Sequence, residues 1–424
     1  MVDHSCFWES TISRSEPGKI DSIPEKCDVL IIGGGFNGIS AAYHLNKLGA
    51  QVVVVEEKFV GWGASGRNGG MALTGLKESA STLISKYGIK KAREFFEQSL
   101  SAVELVENLL KEESFDADLF KTGHIEVAKK KTHLKNLAED QAALKDYFGY
   151  QTHLLSPADL GEEISSQRYH GGLLDERSVS LNPLKFVTQL AEIAKVQGVI
   201  ILEGLRVDSV NCVDEGITAK TSFGEIKAGH CILCTSAYTG KEFPEWIESH
   251  FKIGSYVLAT EVLKFPATDL IHHRRAIFDT MNFLSYYRIT SDNRLLFGGR
   301  ALFERESARS ITQSEPILRE MMTDVFPELH DVRISHVWGG TLDITLSKMP
   351  VFAVNRKITY SIGFAGHGIS LATYFGKLIA NHLSGVKTSN PFQIESIGAV
   401  PFARIQNAYL PFVEKYYRIL DNIN

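Results

Sequence analysis

Cysteine is scarce. Five residues (Cys6, Cys27, Cys212, Cys231 and Cys234) are spread over 424 positions. That is too few for a disulfide framework and suits a reducing compartment. Cys231 and Cys234 spell C-x-x-C, but inside the apolar run HCILCTS with no second ligand pair nearby. Core packing is expected there, not zinc or redox chemistry. No long run of Lys or Arg occurs and the net charge is −5, so the electrostatic footprint of a nucleic-acid binder is missing. No stretch approaches the roughly 20 apolar residues that span a bilayer. Asp3, His4 and Glu9 stand where a signal peptide would be apolar, so the default expectation is a cytoplasmic location. His124, His170 and His336 show no ligand spacing, so no metal is expected. No G-x-S-x-G elbow argues for hydrolysis.

What is present reads as an ordinary globular protein, with 44% hydrophobic and 22% charged residues. The length favours two domains or one large α/β unit with an insertion. Residues 1–26 are polar and irregular and read as an arm lying over the domain. CDVLII (27–32) is a short apolar run that fits a buried parallel strand, and ISAAYHLNKLG after it has helical spacing and ends at Gly49. QVVVVEE (51–57) is a second buried strand, so these segments form one β-α-β unit of a doubly wound sheet. Residues 75–150 read mostly as amphipathic helix, interrupted by the strand-like GHIEVAKK. LNPLKFVTQLAEIAKVQGV (181–199) opens on an Asn-Pro helix start and leads into several strands. Residues 251–345 turn β-rich, with SYVLATEVL, FLSYYRIT and RLLFGGR. From Ile358 the order is strand, Gly-rich turn, helix. The expected architecture is a Rossmann-like α/β domain (27–115, 165–250 and 346–424) with a second β-rich α+β domain (116–164 and 251–345).

Gly33, Gly35 and Gly38 form G-x-G-x-x-G between the first strand and helix, the context that gives this motif meaning. Gly33 allows the tight turn, Gly35 the approach of backbone to a pyrophosphate, and Gly38 close helix packing, with Phe36 and Asn37 opening the helix. Glu56 ends the second strand, where a carboxylate can accept from an adenosine ribose; Glu57 is the competitor on the opposite face. This predicts a dinucleotide site without choosing between NAD and FAD. The choice comes from GWGASGRNGGMALTG (61–75), whose six glycines let backbone approach a flat ligand.

The GASGRNGG run after such a unit resembles the D-amino-acid-oxidase-like flavoproteins, and within them the gamma-glutamylputrescine oxidase group. LLDERSVSLNPLKF, YYRITSDNRLLFGG, HVWGGTLDITLSKMP and GFAGHGISLATYFGKLIA carry the resemblance along nearly the whole chain. It implies FAD, with Gly63, Ala64, Ser65, Arg67, Asn68, Gly69 and Gly70 along the pyrophosphate and flavin. Val207 would lie at the adenine end, Thr235 and Ser236 near the phosphates, and Gly340 beside the ring. Gly363, Gly366, His367, Gly368 and Ile369 would bring N–H groups to its pyrimidine side, a role that strand, Gly-rich turn and helix N-terminus also suggest by themselves. Trp338 is followed by Gly339, Gly340 and Thr341 with no Cys, and the early loop has no His. The resemblance therefore implies non-covalent FAD.

On the substrate side, the resemblance implies that Arg288 receives a carboxylate, for which a guanidinium fork is suited. Pairing of Arg288 with Asp292 is the open alternative. Tyr286 and Tyr287 alternate faces, so at most one lines a pocket, and Tyr287, Tyr256 and Trp338 are the candidates beside Arg288. Tyr287, Arg288 and His367 are the catalytic candidates. The expected reaction is oxidation of a C–N bond in a small amine or amino-acid-like substrate, with oxygen or another acceptor reoxidising the flavin. A nicotinamide-linked dehydrogenase and a non-catalytic flavin-bearing module are the rival readings.

Overall fold

The computed structural model of the chain describes residues 2–14, 18, 20–213, 216–244 and 246–423. Within the arm, residues 1, 15–17 and 19 lie outside the described set. Two sheets dominate. The first has the order Val351–Asn355, Ile358–Ile362, Gly224–Leu233, Lys26–Ile32, Val52–Glu56, Ile200–Glu203. Along this order the pairings are parallel except that Val351–Asn355 runs against its neighbour, and Gly216–Thr221 branches off Gly224–Leu233 by antiparallel pairing. The centre is nearly all Val, Ile and Leu, as expected of strands covered on both faces. Helices Phe36–Lys47, Ile89–Glu112, Pro183–Val196 and Gly368–Leu383 cover one face. The other face packs against the antiparallel strands Val207–Val213 and Gly216–Thr221.

The second sheet has the order Ile334–Ile344, Phe251–Thr260, Leu295–Gly299, Ser285–Ile289, Ala276–Asp279, His124–Val127, Gly172–Asp175, His153–Leu155. It is antiparallel except where Ala276–Asp279 runs parallel to His124–Val127. Helix Ala308–Val325 packs on its far side. Val257, Ala259, Leu296 and Trp338 from this sheet join the core of the first-sheet helices, so one apolar mass connects the two layers. The fold is therefore α/β with a parallel-rich first sheet and a mostly antiparallel second one.

One boundary differs from the sequence reading. Gly172–Asp175, assigned with 165–250 to the nucleotide-binding part, pairs with His124–Val127 in the second sheet. Four residues with no alternation carry no sign of which sheet they complete. The arm is also more than a cover. Asp3 bridges to His336, the short helix Phe7–Thr11 buries Phe7 and Trp8, and Trp8 Nε1 donates to Asn68 O at 2.8 Å.

Candidate active site

The first strand ends at Ile32 and the chain turns through Gly33, whose φ of +107° only glycine adopts without strain. A Cβ on Gly38 would sit 2.0 Å from Gly33 O, so the helix Phe36–Lys47 packs on the turn only because residue 38 has none. Gly35 at the start of this helix has no side chain to cap it, and Phe36 N–H donates instead to Ser65 Oγ at 3.0 Å. Glu56 accepts from Gly34 N (2.7 Å) and Lys58 N (2.8 Å). Burial raises its pKa, opposed by those two amides.

A cavity of about 310 Å³ runs from this turn. Gly33, Gly35, Phe36, Asn37, Glu56, Glu57, Gly63, Ala64, Ser65, Asn68, Val207, Thr235, Ser236, Gly366 and Gly368 all line it. Asn37 ties its two ends together, accepting from Cys234 Sγ (2.8 Å) and Ser361 Oγ (3.0 Å) and donating to Ala372 O (3.0 Å). A second cavity of about 370 Å³ shares Ala64, Asn68, Leu342 and Gly366 with the first, so the two are contiguous. Arg67, Gly69, Gly340 and His367 line the second. Gly38, Gly70, Gly363 and Ile369 line neither; they shape the backbone behind the walls. Gly70 (φ +76°) turns the loop against Leu181 O, and Gly363 N donates to Asp343 Oδ2 at 2.8 Å.

The loop is held by its own polar groups. Asn68 Nδ2 donates to Ala64 O and Ser65 O, while its Oδ1 accepts from Gly70 N. Arg67 donates through Nε to Trp62 O at 2.7 Å. At the junction of the cavities two buried polar atoms have no protein partner, Thr341 Oγ1 and His367 Nδ1. Space beside the Cα of Gly366 and Gly368 is open, and helix Gly368–Leu383 starts there without a side-chain cap. An electron-poor helix end, two orphaned polar atoms and open glycine backbone together suit a planar polar ligand. Burial holds His367 neutral, pushed down to about 3.

Four residues expected on the substrate side do not reach either cavity. Arg288 is 2% exposed. Its Nε donates to Gly69 O (2.6 Å), Nη2 to Leu181 O (2.6 Å) and Nη1 to Ile289 O (3.3 Å). Its donors are used on backbone, and Asp292 pairs instead with Arg294 at 2.7 Å. Tyr287 points the other way along the same strand, stacked on Phe297 with centroids 5.3 Å apart. Tyr256 is buried and donates to Glu304 O (2.7 Å), and Trp338 is buried and donates to Arg67 O (2.8 Å). Strand alternation gives the wall to Tyr286, whose ring lies against Gly69 and Gly298 and whose hydroxyl is 3.3 Å from Ser255 Oγ.

Sequence reasoning passed over the charged wall of the larger cavity: Lys77, Glu78, His124, Glu126, Asp140, Asp175, Asp279 and Arg300. One signal was available. His124 and Glu126 alternate with buried Ile125 and Val127, so both had to share the face away from the core. Burial pushes Glu126 up to about 7 and Asp279 up to about 6. Lys77 is pushed down to about 7 by burial, with Arg300 adding to the effect. Among the described residues no group of three or more His, Cys, Asp or Glu could hold a metal, and no helix is long and apolar enough to cross a membrane.

Comparison with known proteins bears on this geometry. A family model described as FAD dependent oxidoreductase matches residues 28–382. The chain is 31% identical over 391 residues to gamma-glutamylputrescine oxidoreductase of Escherichia coli (strain K12), covering 91% of this chain and 90% of that protein. In fold it is similar to glycine oxidase from Geobacillus kaustophilus, with a TM-score of 0.75 and 19% identity over 88% of this chain and 100% of that one. It is likewise similar to L-amino acid deaminase from Proteus myxofaciens, with a TM-score of 0.73 and 16% identity over 93% and 99%.

Proposed function

The chain belongs to the FAD-dependent oxidoreductase family, enzymes of the amine and amino-acid oxidase kind, and from that premise we propose that it oxidises a C–N bond of γ-glutamylputrescine or a closely related amine. The observation that carries this reading is the continuity of the two cavities: a dinucleotide-binding turn at one end opens into a charged, partly apolar chamber at the other.

The residues present fit FAD. Glu56 retains lone pairs for a ribose, Gly33 to Gly38 suit the pyrophosphate, and Ala64 to Gly69 suit the ring. Thr341 Oγ1, His367 Nδ1 and the helix end at Gly368 have capacity left for the polar edge of the ring. When bound, FAD supplies the two-electron acceptor that turns an amine into an imine. Tyr286, Phe278 and Leu342 form an apolar wall that can align the reacting carbon and exclude water. His367, held neutral, can orient a neighbour by a hydrogen bond but is not an imidazolium acid at neutral pH. Tyr287 and Arg288, buried elsewhere, take no part in the chemistry.

Non-covalent attachment is supported by the thiols. Cys6 is buried against Gly66 O and pushed up to about 12, and Cys234 is engaged by Asn37. Five free thiols also support a reducing, cytoplasmic setting. We also read the chain as a nucleotide-binding part and a substrate part corresponding to the two sheets. The test is turnover of an amine panel, with trapping of the carbonyl product and measurement of the released amine. Stoichiometric carbonyl from γ-glutamylputrescine supports the reading; absence of any carbonyl from primary, secondary and N-methylated amines contradicts it.

A further inference from the structure

The larger cavity contains charges of both signs that the protein itself leaves unpaired. Lys77, Glu126 and Arg300 line it together. Among the described residues, the side chain of neither Lys77 nor Glu126 has a hydrogen bond or an ion pair, although each lies within electrostatic reach of the other. Among the described residues, the Arg300 guanidinium makes one hydrogen bond, to Asn282 O at 3.1 Å. Both signs act on each group: Arg300 is the strongest charged neighbour of Lys77, followed by Glu126, Lys348 and Glu78, while Glu126 feels Asp140, Lys77 and Asp279.

Opposite charges kept apart in a buried space are costly, because each loses hydration without gaining a partner. Their shifted ionisation reflects that cost, Lys77 pushed down and Glu126 up to about 7. A structural ion pair would have closed. An intervening ligand with both charges would satisfy each side at once, whereas a ligand with only one would leave the other buried charge uncompensated.

We propose that the cavity recognises an α-amino-acid head at the far end of the substrate, its carboxylate received by Lys77 and Arg300 and its ammonium by Glu126. The proposal rests on reading this cavity as the amine site and deepens it: the preferred substrates are amines tethered to a zwitterionic head. Phe278, Tyr286, Met71 and Leu73 line the cavity as well and supply an apolar passage for the connecting methylenes. Arg288, with its donors committed to backbone, plays no part in this recognition.

The test uses the holoenzyme and γ-glutamylputrescine, together with its α-N-acetyl and α-carboxamide derivatives. Each blocked compound is expected to lose about tenfold to a hundredfold in kcat/KM, the range for a charged hydrogen bond. Glu126→Gln should lower kcat/KM for the parent and abolish the penalty for acetylation while keeping that for the amide; Lys77→Met should reduce the penalty for the amide, Arg300 still holding the carboxylate, while keeping that for acetylation. Equal kcat/KM for parent and blocked compounds in the unmodified enzyme would overturn the proposal. A measurement that needs neither variant nor turnover is the thermal shift given by γ-glutamylmethylamide, which has the head but no amine at the far end. It should raise Tm while its N-acetyl form does not; equal shifts, or none, would overturn head recognition. A Tm shift in a protein that oxidises no amine would leave head recognition standing and remove the proposed reaction.

Discussion

Burying a guanidinium among backbone carbonyls costs its hydration, and full hydrogen bonding is what offsets that cost. Every nitrogen of Arg288 makes one such bond, three of its five N–H groups, and Nε and Nη2 link Gly69 of the loop to Leu181, two segments far apart in sequence. Arg288→Leu is therefore expected to destabilise the protein by roughly 3 kcal/mol, from carbonyls left without donors. Urea unfolding of the holoenzyme measures it; a raised KM with unchanged stability would show that Arg288 serves a ligand after all. His250 offers a second test. It is buried with Nε2 unpartnered, and burial, reinforced by Lys252 and Arg305, pushes it down from 6.5 to about 3. Its folded pKa is below its unfolded one, so its contribution is complete above about pH 6.5 and is lost as pH falls toward 3. His250→Leu should accordingly lose less Tm than the parent between pH 7 and pH 5, and parallel Tm profiles would contradict this.

Among the elements, the glycine-rich loop after the second strand depends on the arm as much as on its own sequence. Trp8 donates to Asn68 O, Cys6 to Gly66 O, and the Arg288 guanidinium lies over Trp8 at 5.3 Å. Trp8→Ala should cost about 3 to 5 kcal/mol by leaving a cavity under the loop, and it should also raise the dissociation constant of FAD. Fluorescence titration of the apoprotein checks the second point, and unchanged FAD affinity would separate the arm from the loop. The β-α-β unit was legible in sequence because its constraints are local: an apolar run, a glycine spacing, a helical period. The wall of the second cavity was not, because it is assembled from a strand at His124–Val127, a strand at Ser285–Ile289 and a loop at Lys77 that meet only in the tertiary fold. Strand alternation correctly limited the tyrosines to one on the wall. It could not say which face was which, and the structure turns Tyr286 toward the cavity and Tyr287 into the core.

Across the whole molecule, the parallel-rich sheet presents its strand ends and the antiparallel sheet presents one face to the same continuous space. The overall plan was readable from the order of motifs, whereas the pairing of Gly172–Asp175 with the second sheet was not, since long-range partners leave no trace in four apolar residues. A ligand lying between two layers stabilises both by mass action, by about 4 kcal/mol at a thousandfold excess over its dissociation constant. Acid or denaturant should release the yellow flavin into the supernatant, and added FAD should restore the Tm of the stripped protein. Colour retained by the precipitate would contradict non-covalent binding. The most direct measurement is anaerobic titration of the purified holoenzyme with γ-glutamylputrescine, followed at the flavin band near about 450 nm. Stoichiometric bleaching, reversed by admitting an electron acceptor, is the expected result; a protein that takes up no flavin, or a band that no amine bleaches, would contradict the account.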